Sequence, residues 1–223
     1  MRALTGAVPL LALGLAACAT TRPAAQAPPP AVLTAAEFEA IYRARTDSAR
    51  TRFTDADVKF MTGMIAHHAQ ALIMAGLASG NGSSPAVRTL AARISNAQQD
   101  DIATMQQWLR DRGRPVPEVP VPGAGVMVHG ADHDGHMPGM LTEAELRELE
   151  QARGPSFDRL FLDAMIRHHR GAVVMVRELF ATDGAGQDEE VFRFASDAQV
   201  DQATEIARME QLRAALTGAE HAP

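Results

Sequence analysis

The feature of this sequence that most constrains its fold is an internal repeat. Eight residues between positions 57 and 74 recur unchanged 101 positions later. The identical pairs are Asp57/Asp158, Phe60/Phe161, Met64/Met165, Ile65/Ile166, His67/His168, His68/His169, Ala71/Ala172 and Met74/Met175. A second stretch matches at an offset of 104, where Gln98, Asp101, Ile102 and Met105 correspond to Gln202, Glu205, Ile206 and Met209. Two matching His-His doublets with their flanks indicate a duplicated structural unit rather than chance similarity between helices.

Both copies have the residue spacing of an α-helix. In the first copy, positions 60, 64, 67, 71, 74 and 78 alternate steps of four and three residues and so share one helix face. Aromatic residues make up only 4% of the chain, whereas β proteins use more of them. The sequence therefore predicts an all-α fold, in which two duplicated helical hairpins form a four-helix bundle with extra short helices and a long central loop.

Capping residues, prolines and glycines mark the predicted helix boundaries. The predicted helices run from Ala35 to near Arg52, from after Thr54 to about Ser79, from Ser84-Pro85 to Arg112, from the capping box Thr142–Glu145 over a short stretch, from about Ser156 to Ala181, and from about Asp188 to Leu216. The bundle domain is predicted to span residues 34–223, with repeat one at about 54–112, the loop at about 113–141 and repeat two at about 156–216.

The first residues resemble a bacterial export signal. Arg2 precedes an apolar run from Leu4 to Ala17, which is too short for a transmembrane helix but suits a signal peptide. The run closes with Leu-Ala-Ala-Cys, which resembles a lipobox in which Cys18 becomes the lipidated first residue. We expect residues 1–17 to be a lipoprotein signal peptide and the Pro/Ala-rich residues 18–33 to be a stiff tether. The alternative is an ordinary signal peptide in which Cys18 is incidental.

These features set the expected location and partners. The lipidated chain would be anchored in the bacterial cell envelope and face the periplasm, and Ala19 after the cysteine favours the outer membrane by analogy with enteric bacteria. The net charge of −6 gives no basic excess for binding nucleic acid. The expected partners are therefore a metal ion and, through the lipid anchor, the membrane; the sequence identifies no protein partner.

Histidines and methionines of the repeated helix are the candidate metal ligands. Side chains three or four residues apart on a helix can touch one ion, and a thioether with imidazole suits Cu(I) and, by similarity, Ag(I). The candidates are Met61, Met64, His67, His68 and Met74 in the first copy and Met165, His168, His169 and Met175 in the second. In the alternative interpretation methionine fills a metal-free core, and each histidine pairs with Asp or Gln across the bundle, Gln98 and Gln202 being candidates.

The central loop contains a second candidate site. Residues Met127 to Met140 read MVHGADHDGHMPGM, and short histidine-rich tracts commonly bind metal. The candidate ligands in this loop are His129, His133, His136, Met137 and Met140. The alternative is a solvated loop with weak, adventitious metal affinity.

The strings FMTGMIAHHAQALIMA and FDRLFLDAMIRHHRGAVVMV, with HMPGMLTEAEL before the second, resemble the family known as domain of unknown function 305. The resemblance covers about residues 54–216 in two tandem copies. It implies a ferritin-like helical fold, export from the cytoplasm and a link to copper binding or resistance. It also implies a ligand set of Met64, His67, His68, Met74, Met165, His168, His169 and Met175. The second copy departs from the first at Leu162 and Leu212, which stand where the first copy has Met61 and Trp108.

The motifs of common enzyme classes do not occur in the sequence. No Glu lies three residues before a histidine of the predicted helix core, so the di-iron pattern of ferritin-like enzymes is missing. The His-Glu-x-x-His, Gly-x-Ser-x-Gly and phosphate-loop motifs are also missing. We interpret the chain as a non-enzymatic, lipid-anchored protein that binds copper, with Cu(I) buffering, transfer or resistance as its role; other soft or borderline ions share this chemistry. Two alternatives stay open: a metal-free structural or partner-binding module of the cell envelope, and a copper-dependent redox enzyme.

The expected lipid anchor at Cys18 can be tested by substitution. Cys18→Ala removes the thiol that a diacyl anchor requires, so the variant should move from the membrane fraction to the soluble periplasmic fraction. Fractionation followed by immunoblotting measures this, and retention of the variant in the membrane fraction would refute the lipoprotein prediction.

Overall fold

The computed structural model describes residues 52–119 and 137–220, with side chains to residue 216, together with Ala36, Glu39, Ala40 and Arg43. Five helices lie within the two long stretches, and no strand occurs in them. They are α1 (Asp55–Leu77), α2 (Pro85–Asp111), α3 (Glu143–Gln151), α4 (Gly154–Ala181) and α5 (Glu189–Glu220). The all-α prediction is confirmed. No helix of the described stretches is both long and apolar enough to cross a membrane.

The helices begin where the capping residues predict. Thr54 and Asp57 form a reciprocal capping box at the start of α1, and Thr142 with Glu145 forms another at the start of α3. The Ser84 side chain accepts a hydrogen bond from the backbone of Val87, and a proline occupies the first position of α2. The sequence-predicted boundaries hold to within a few residues.

Several boundaries differ from the sequence predictions: α1 ends at Leu77 instead of about Ser79, and α5 ends at Glu220 instead of Leu216. Helix α4 starts at Gly154, two residues before the predicted start, because Pro155 is tolerated in a first turn, where its missing N–H has no intrahelical partner. Of the helix predicted before Thr54, the described residues at positions 36, 39, 40 and 43 are helical and Arg52 is not, while its other residues lie outside the described part. The predicted signal peptide, Cys18 and tether also lie outside it.

The helices form two hairpins that meet across α1 and α4. Short turns join α1 to α2 and α4 to α5, so each repeat folds back on itself. The start of α1 packs with the end of α4, which makes these two helices antiparallel. The buried apolar side chains separate into two clusters, one at each end of the bundle. We name them the Trp108 core, which also holds Met64 and Met175, and the Phe157 core, which also holds Met74 and Met165.

The repeated aspartates hold the two hairpins together. The Asp57 carboxylate accepts a hydrogen bond from the backbone N–H of Gly186, in the turn of the second hairpin, at 2.6 Å. The Asp158 carboxylate accepts one from the backbone N–H of Ser84, at the turn of the first hairpin, at 3.1 Å. Each copy therefore binds the turn of the other, which explains why this aspartate occurs in both.

A buried ion pair joins the end of α2 to the start of α5. Arg112 donates to Asp188 at 2.6 Å, and both side chains are nearly inaccessible to solvent. The indole N–H of Trp108 donates to the same carboxylate at 3.1 Å. Asp188 also accepts from the backbone of Val191 and so caps the first turn of α5.

Removal of this carboxylate should destabilise the fold strongly. Asp188→Ala leaves the buried Arg112 guanidinium and the Trp108 N–H without their partner, and breaking a buried ion pair in this way costs about 3–5 kcal/mol. Chemical denaturation measures the free energy of unfolding. The exposed Asp183→Ala is the control and should stay within about 0.5 kcal/mol of the parent. Equal stability of the two variants would contradict this account of the junction.

Candidate functional site

Four buried histidines lie where α1 and α4 cross. His67 and His68 come from α1, and His168 and His169 come from α4. None of the four exposes more than 1% of its surface. The rings of His67 and His168 lie against each other in a tilted arrangement, with centroids 3.7 Å apart and planes inclined by 35°. The two doublets of the sequence repeat therefore form one central group rather than two separate sites.

The central pair is held unevenly. His67 Nε2–H donates to the carbonyl oxygen of Pro138 at 3.1 Å, because a carbonyl can only accept. In the neutral ring this leaves the lone pair on Nδ1, which is buried and has no hydrogen-bond partner. In His168 it is Nε2 that is buried without a partner.

Carboxylates orient the outer pair. His68 Nε2 contacts Asp101 on α2 at 3.1 Å, and His169 Nε2 contacts Glu205 on α5 at 2.7 Å. In both rings Nδ1 is buried without a partner. Since a carboxylate can only accept, Nε2 carries the hydrogen, and a neutral ring exposes its lone pair at Nδ1.

The alternative interpretation named the wrong amide partners. That interpretation allowed Asp or Gln as the partner of each histidine. An Asp does pair with His68, but neither Gln98 nor Gln202 pairs with a histidine. The carboxylates lie three residues further along the same helices, and the side-chain oxygen of Gln98 has no partner. A helix turns about 100° per residue, so three residues keep a side chain near the same face at a different height.

Burial keeps the central histidines neutral. It lowers the pKa of His67 from 6.5 to about 3, and the charge of His68 lowers it further, against the hydrogen bond to Pro138. Burial, followed by the charge of His67, also holds the pKa of His168 well below its ordinary value. Neutral imidazole is the form that coordinates metal.

The candidate methionines divide between the two ends of the bundle. Met61, Met64 and Met175 belong to the Trp108 core, and Met74 and Met165 belong to the Phe157 core. Ten residues separate Met64 from Met74, which is about 15 Å along a helix, so the two cannot touch one ion. The thioethers that share an end of the bundle come from both repeats.

Gly63 marks the place where two further thioethers approach each other. A Cβ at this position would lie 3.5 Å from Met175 Cε and 3.7 Å from Met137 Sδ. Met137 and Met140, from the end of the central loop, are both half-buried. The loop histidines His129, His133 and His136 lie outside the described residues.

Sulfur and ring nitrogen are the donors that this site offers. Within residues 52–119 and 137–220 no group of three or more His, Cys, Asp or Glu side chains is arranged to hold a metal. Sequence reasoning missed three partners of the histidines: Asp101, Glu205 and the carbonyl of Pro138. The repeat pointed to the two carboxylates, because Asp101 and Glu205 occupy equivalent positions of α2 and α5 in the alignment of the two copies. No sequence pattern identifies a backbone carbonyl such as that of Pro138.

A family model and several solved structures match this chain. The model described as "Domain of unknown function (DUF305)" matches residues 57–213. A DUF305 fragment from Deinococcus radiodurans is 32% identical, with 73% of this chain and 97% of that chain covered and a TM-score of 0.60. A predicted secreted DUF305 protein from Streptomyces coelicolor is 29% identical, with 73% and 94% covered and a TM-score of 0.59. The Cu(II)-bound form of CopM is 30% identical, with 70% and 95% covered and a TM-score of 0.55.

CopM also matches in Cu(I)-bound, silver-bound and apo forms. No curated protein matches this chain.

The buried histidines predict how stability depends on pH. The folded pKa of His67 is about 3 and its ordinary value is 6.5, so between these values the unfolded chain takes up a proton that the folded chain does not. Stability of the metal-free protein should therefore fall as pH drops through this window. His67→Leu should lessen this slope by about 1.4 kcal/mol per pH unit.

Urea titrations between pH 7 and pH 4 measure the slope. Met105→Leu, a similar-sized change elsewhere in the Trp108 core, should keep the slope of the parent protein. An identical slope in His67→Leu and the parent would show that His67 is not held neutral.

Proposed function

We propose that this chain, which belongs to the DUF305 family, binds copper(I) at its buried histidine group and buffers the ion or passes it on. One observation carries the proposal: the four histidines at the crossing of α1 and α4 each keep one buried ring nitrogen without a partner. A buried polar atom without a hydrogen bond costs free energy, so a ligand that uses the lone pair explains why all four are kept.

The donor chemistry suits a soft ion. Imidazole nitrogen and thioether sulfur together select Cu(I) over the hard cations that carboxylates bind. CopM, which has been solved with Cu(I), Cu(II) and silver, shares the fold at 28–30% identity, and this supports a metal of that group. The thioethers nearest to the histidines along the helices are Met64 in α1 and Met165 in α4, each three residues before the central histidine.

The carboxylates would act as orienting groups. A metal-ligating histidine commonly donates its other N–H to a carboxylate or a backbone carbonyl, which fixes the ring and its tautomer. Asp101 and Glu205 have this role for the outer pair, and the Pro138 carbonyl has it for His67. These partners leave one ring nitrogen of each histidine available to an ion, with thioether sulfur as the other donor.

We also propose a location in the cell envelope and an activity without catalysis. We place the protein in the cell envelope, facing the periplasm and anchored by lipid at Cys18, with the Pro/Ala-rich tether between anchor and bundle. Binding and release of the ion, without catalysis, is the activity we assign. The ion is cargo, so no residue is given a catalytic role.

One observation favours a second candidate, a metal-free structural module of the cell envelope. Each of His67, His68 and His169 already holds a specific partner across the bundle, as a structural histidine would. The central substitutions separate the two functions, because loss of a structural histidine costs stability and loss of a ligand costs copper affinity.

His168→Leu is the sharpest variant for this purpose. Its Nε2 has no partner, and the hydrogen bond of its ring is to the backbone of His67, so leucine at this apolar position should lower the melting temperature by only a few degrees. Copper(I) affinity, measured by competition with a chromophoric chelator under reducing conditions, should fall at least tenfold. Met209→Leu in the Phe157 core is the matched control and should leave both quantities unchanged.

Either of two results would refute copper binding at this group. The parent protein could fail to compete for copper(I), or His168→Leu could retain full affinity. Retained affinity with lowered stability would favour the structural module and leave the loop of residues 127–140 as the remaining metal candidate.

A further inference from the structure

A short segment crosses the histidine group on one side. We call residues Met137–Leu141 the strap. Its Pro138 carbonyl accepts the hydrogen bond from His67, and its Leu141 backbone makes two hydrogen bonds with the buried side chain of Gln70. The Gln70 amide donates to Leu141 O at 2.9 Å, and its oxygen accepts from Leu141 N at 2.7 Å. The strap is therefore attached to α1 at two levels, one turn apart.

On the other side the strap lies directly against α4. A Cβ at Gly171 would overlap the carbonyl oxygen of Pro138, and it would come within 2.9 Å of Gly139 Cα. Gly139 itself has a φ of +78° and faces the carbonyl oxygen of Arg167, so no side chain fits there either. Contact between two backbones at this distance requires a glycine on each.

The two residues that seat the strap occupy the same position in the repeat. Gln70 and Gly171 are 101 residues apart, the offset that relates His67 to His168. The neighbouring histidines and Ala71 are identical in the two copies, yet this position carries a hydrogen-bonding amide in one copy and no side chain in the other. The strap can therefore bind in one orientation only, with its Pro138 carbonyl at His67.

This orientation makes the two central histidines inequivalent. His67 has its Nε2 paired and its Nδ1 free, whereas His168 has its Nε2 free. His168 instead makes its hydrogen bond to the backbone of His67. The residues at positions 70 and 171 contribute to this difference, because they determine which histidine receives the Pro138 carbonyl.

We propose that Gln70 and Gly171 are positioning residues of the metal site: they seat the strap, which closes one side of the histidine group and fixes His67 with its hydrogen on Nε2. The copper part of this inference rests on the proposed function, because it states that the ion leaves the group faster when the strap is lifted. The part that concerns His67 is a property of the metal-free protein.

Two variants lift the strap by different means. Gly171→Ala introduces the Cβ that overlaps Pro138, and Gln70→Leu removes both hydrogen bonds to Leu141 without adding a metal ligand. Gly76→Ala is the matched control, since it is a glycine-to-alanine change within α1 and no atom lies within 4 Å of its added Cβ. Gln70→Glu is the conservative variant, because it keeps an oxygen acceptor for the Leu141 N–H.

The first measurement uses protein labelled with ¹⁵N in histidine, free of metal. The ring-nitrogen resonances of His67, assigned by their loss in His67→Leu, should show the hydrogen on Nε2 in the parent and in Gly76→Ala. In Gly171→Ala and Gln70→Leu they should shift toward a mixture of tautomers, and Gln70→Glu should restore part of the parent pattern. A purely structural role of Gln70 and Gly171 would lower stability and leave these resonances unchanged.

The second measurement is the rate at which copper(I) passes to an excess of chelator. Release should be roughly tenfold faster in Gly171→Ala and Gln70→Leu, as expected for loss of about one net hydrogen bond from the closed state, and unchanged in Gly76→Ala. If Gly171→Ala fails to fold, the His67 resonances and the release rate are both measured on Gln70→Leu.

The two failures can be told apart. Unchanged His67 resonances and an unchanged release rate in both strap variants would overturn the positioning role. If the parent takes up no copper(I) while the His67 resonances shift as expected, the proposed function fails and the positioning of His67 by the strap stands.

Discussion

The close pair of neutral imidazoles at the crossing of α1 and α4 is the constraint on which the rest of this structure depends. Two rings with centroids 3.7 Å apart cannot both be imidazolium cations in a buried site, because desolvation and mutual repulsion both oppose the charge. The fold therefore has to exclude water from the pair and keep it neutral. The two apolar cores on either side and the strap beside it do so with residues from all five described helices and one loop.

Most of the groups around the histidine pair come from a single hairpin sequence that occurs twice. A single hairpin can offer one His-His doublet, one carboxylate on its second helix and one aspartate at its start. When the two copies pack antiparallel, each aspartate reaches the other copy's turn, as Asp57 does with Gly186, and the two central histidines meet at the crossing. A core with near-twofold symmetry follows from the repeat, as in other bundles built from paired hairpins.

Local signals predicted the helices well, because capping and spacing act within a few residues. Thr54 and Thr142 begin helices where their hydroxyls satisfy the first free N–H groups. The site was predicted less completely, because its contacts connect distant parts of the chain. Because Met64 and Met74 lie on the same face of α1, their spacing made both of them candidate ligands. They are ten residues apart along the helix axis, however, and so belong to different cores. The Pro138 carbonyl at His67 depends on a loop path that periodicity does not encode.

Divergence between the copies makes the two ends of the bundle chemically different. At the Trp108 end the first copy has Met61 and Gly63, and the strap adds Met137 to the space that this glycine leaves. At the Phe157 end the equivalent positions hold Leu162 and Ala164, which provide neither sulfur nor that space.

The thioethers are therefore concentrated at the Trp108 end, where the strap adds Met137, while the strap's Leu141 belongs to the Phe157 core. A duplicated scaffold with equivalent halves would present the same side chains on both sides of the histidine pair. Substitution at a few repeat positions gives this molecule one side rich in sulfur, and the strap contributes to that side and also fixes the tautomer of His67.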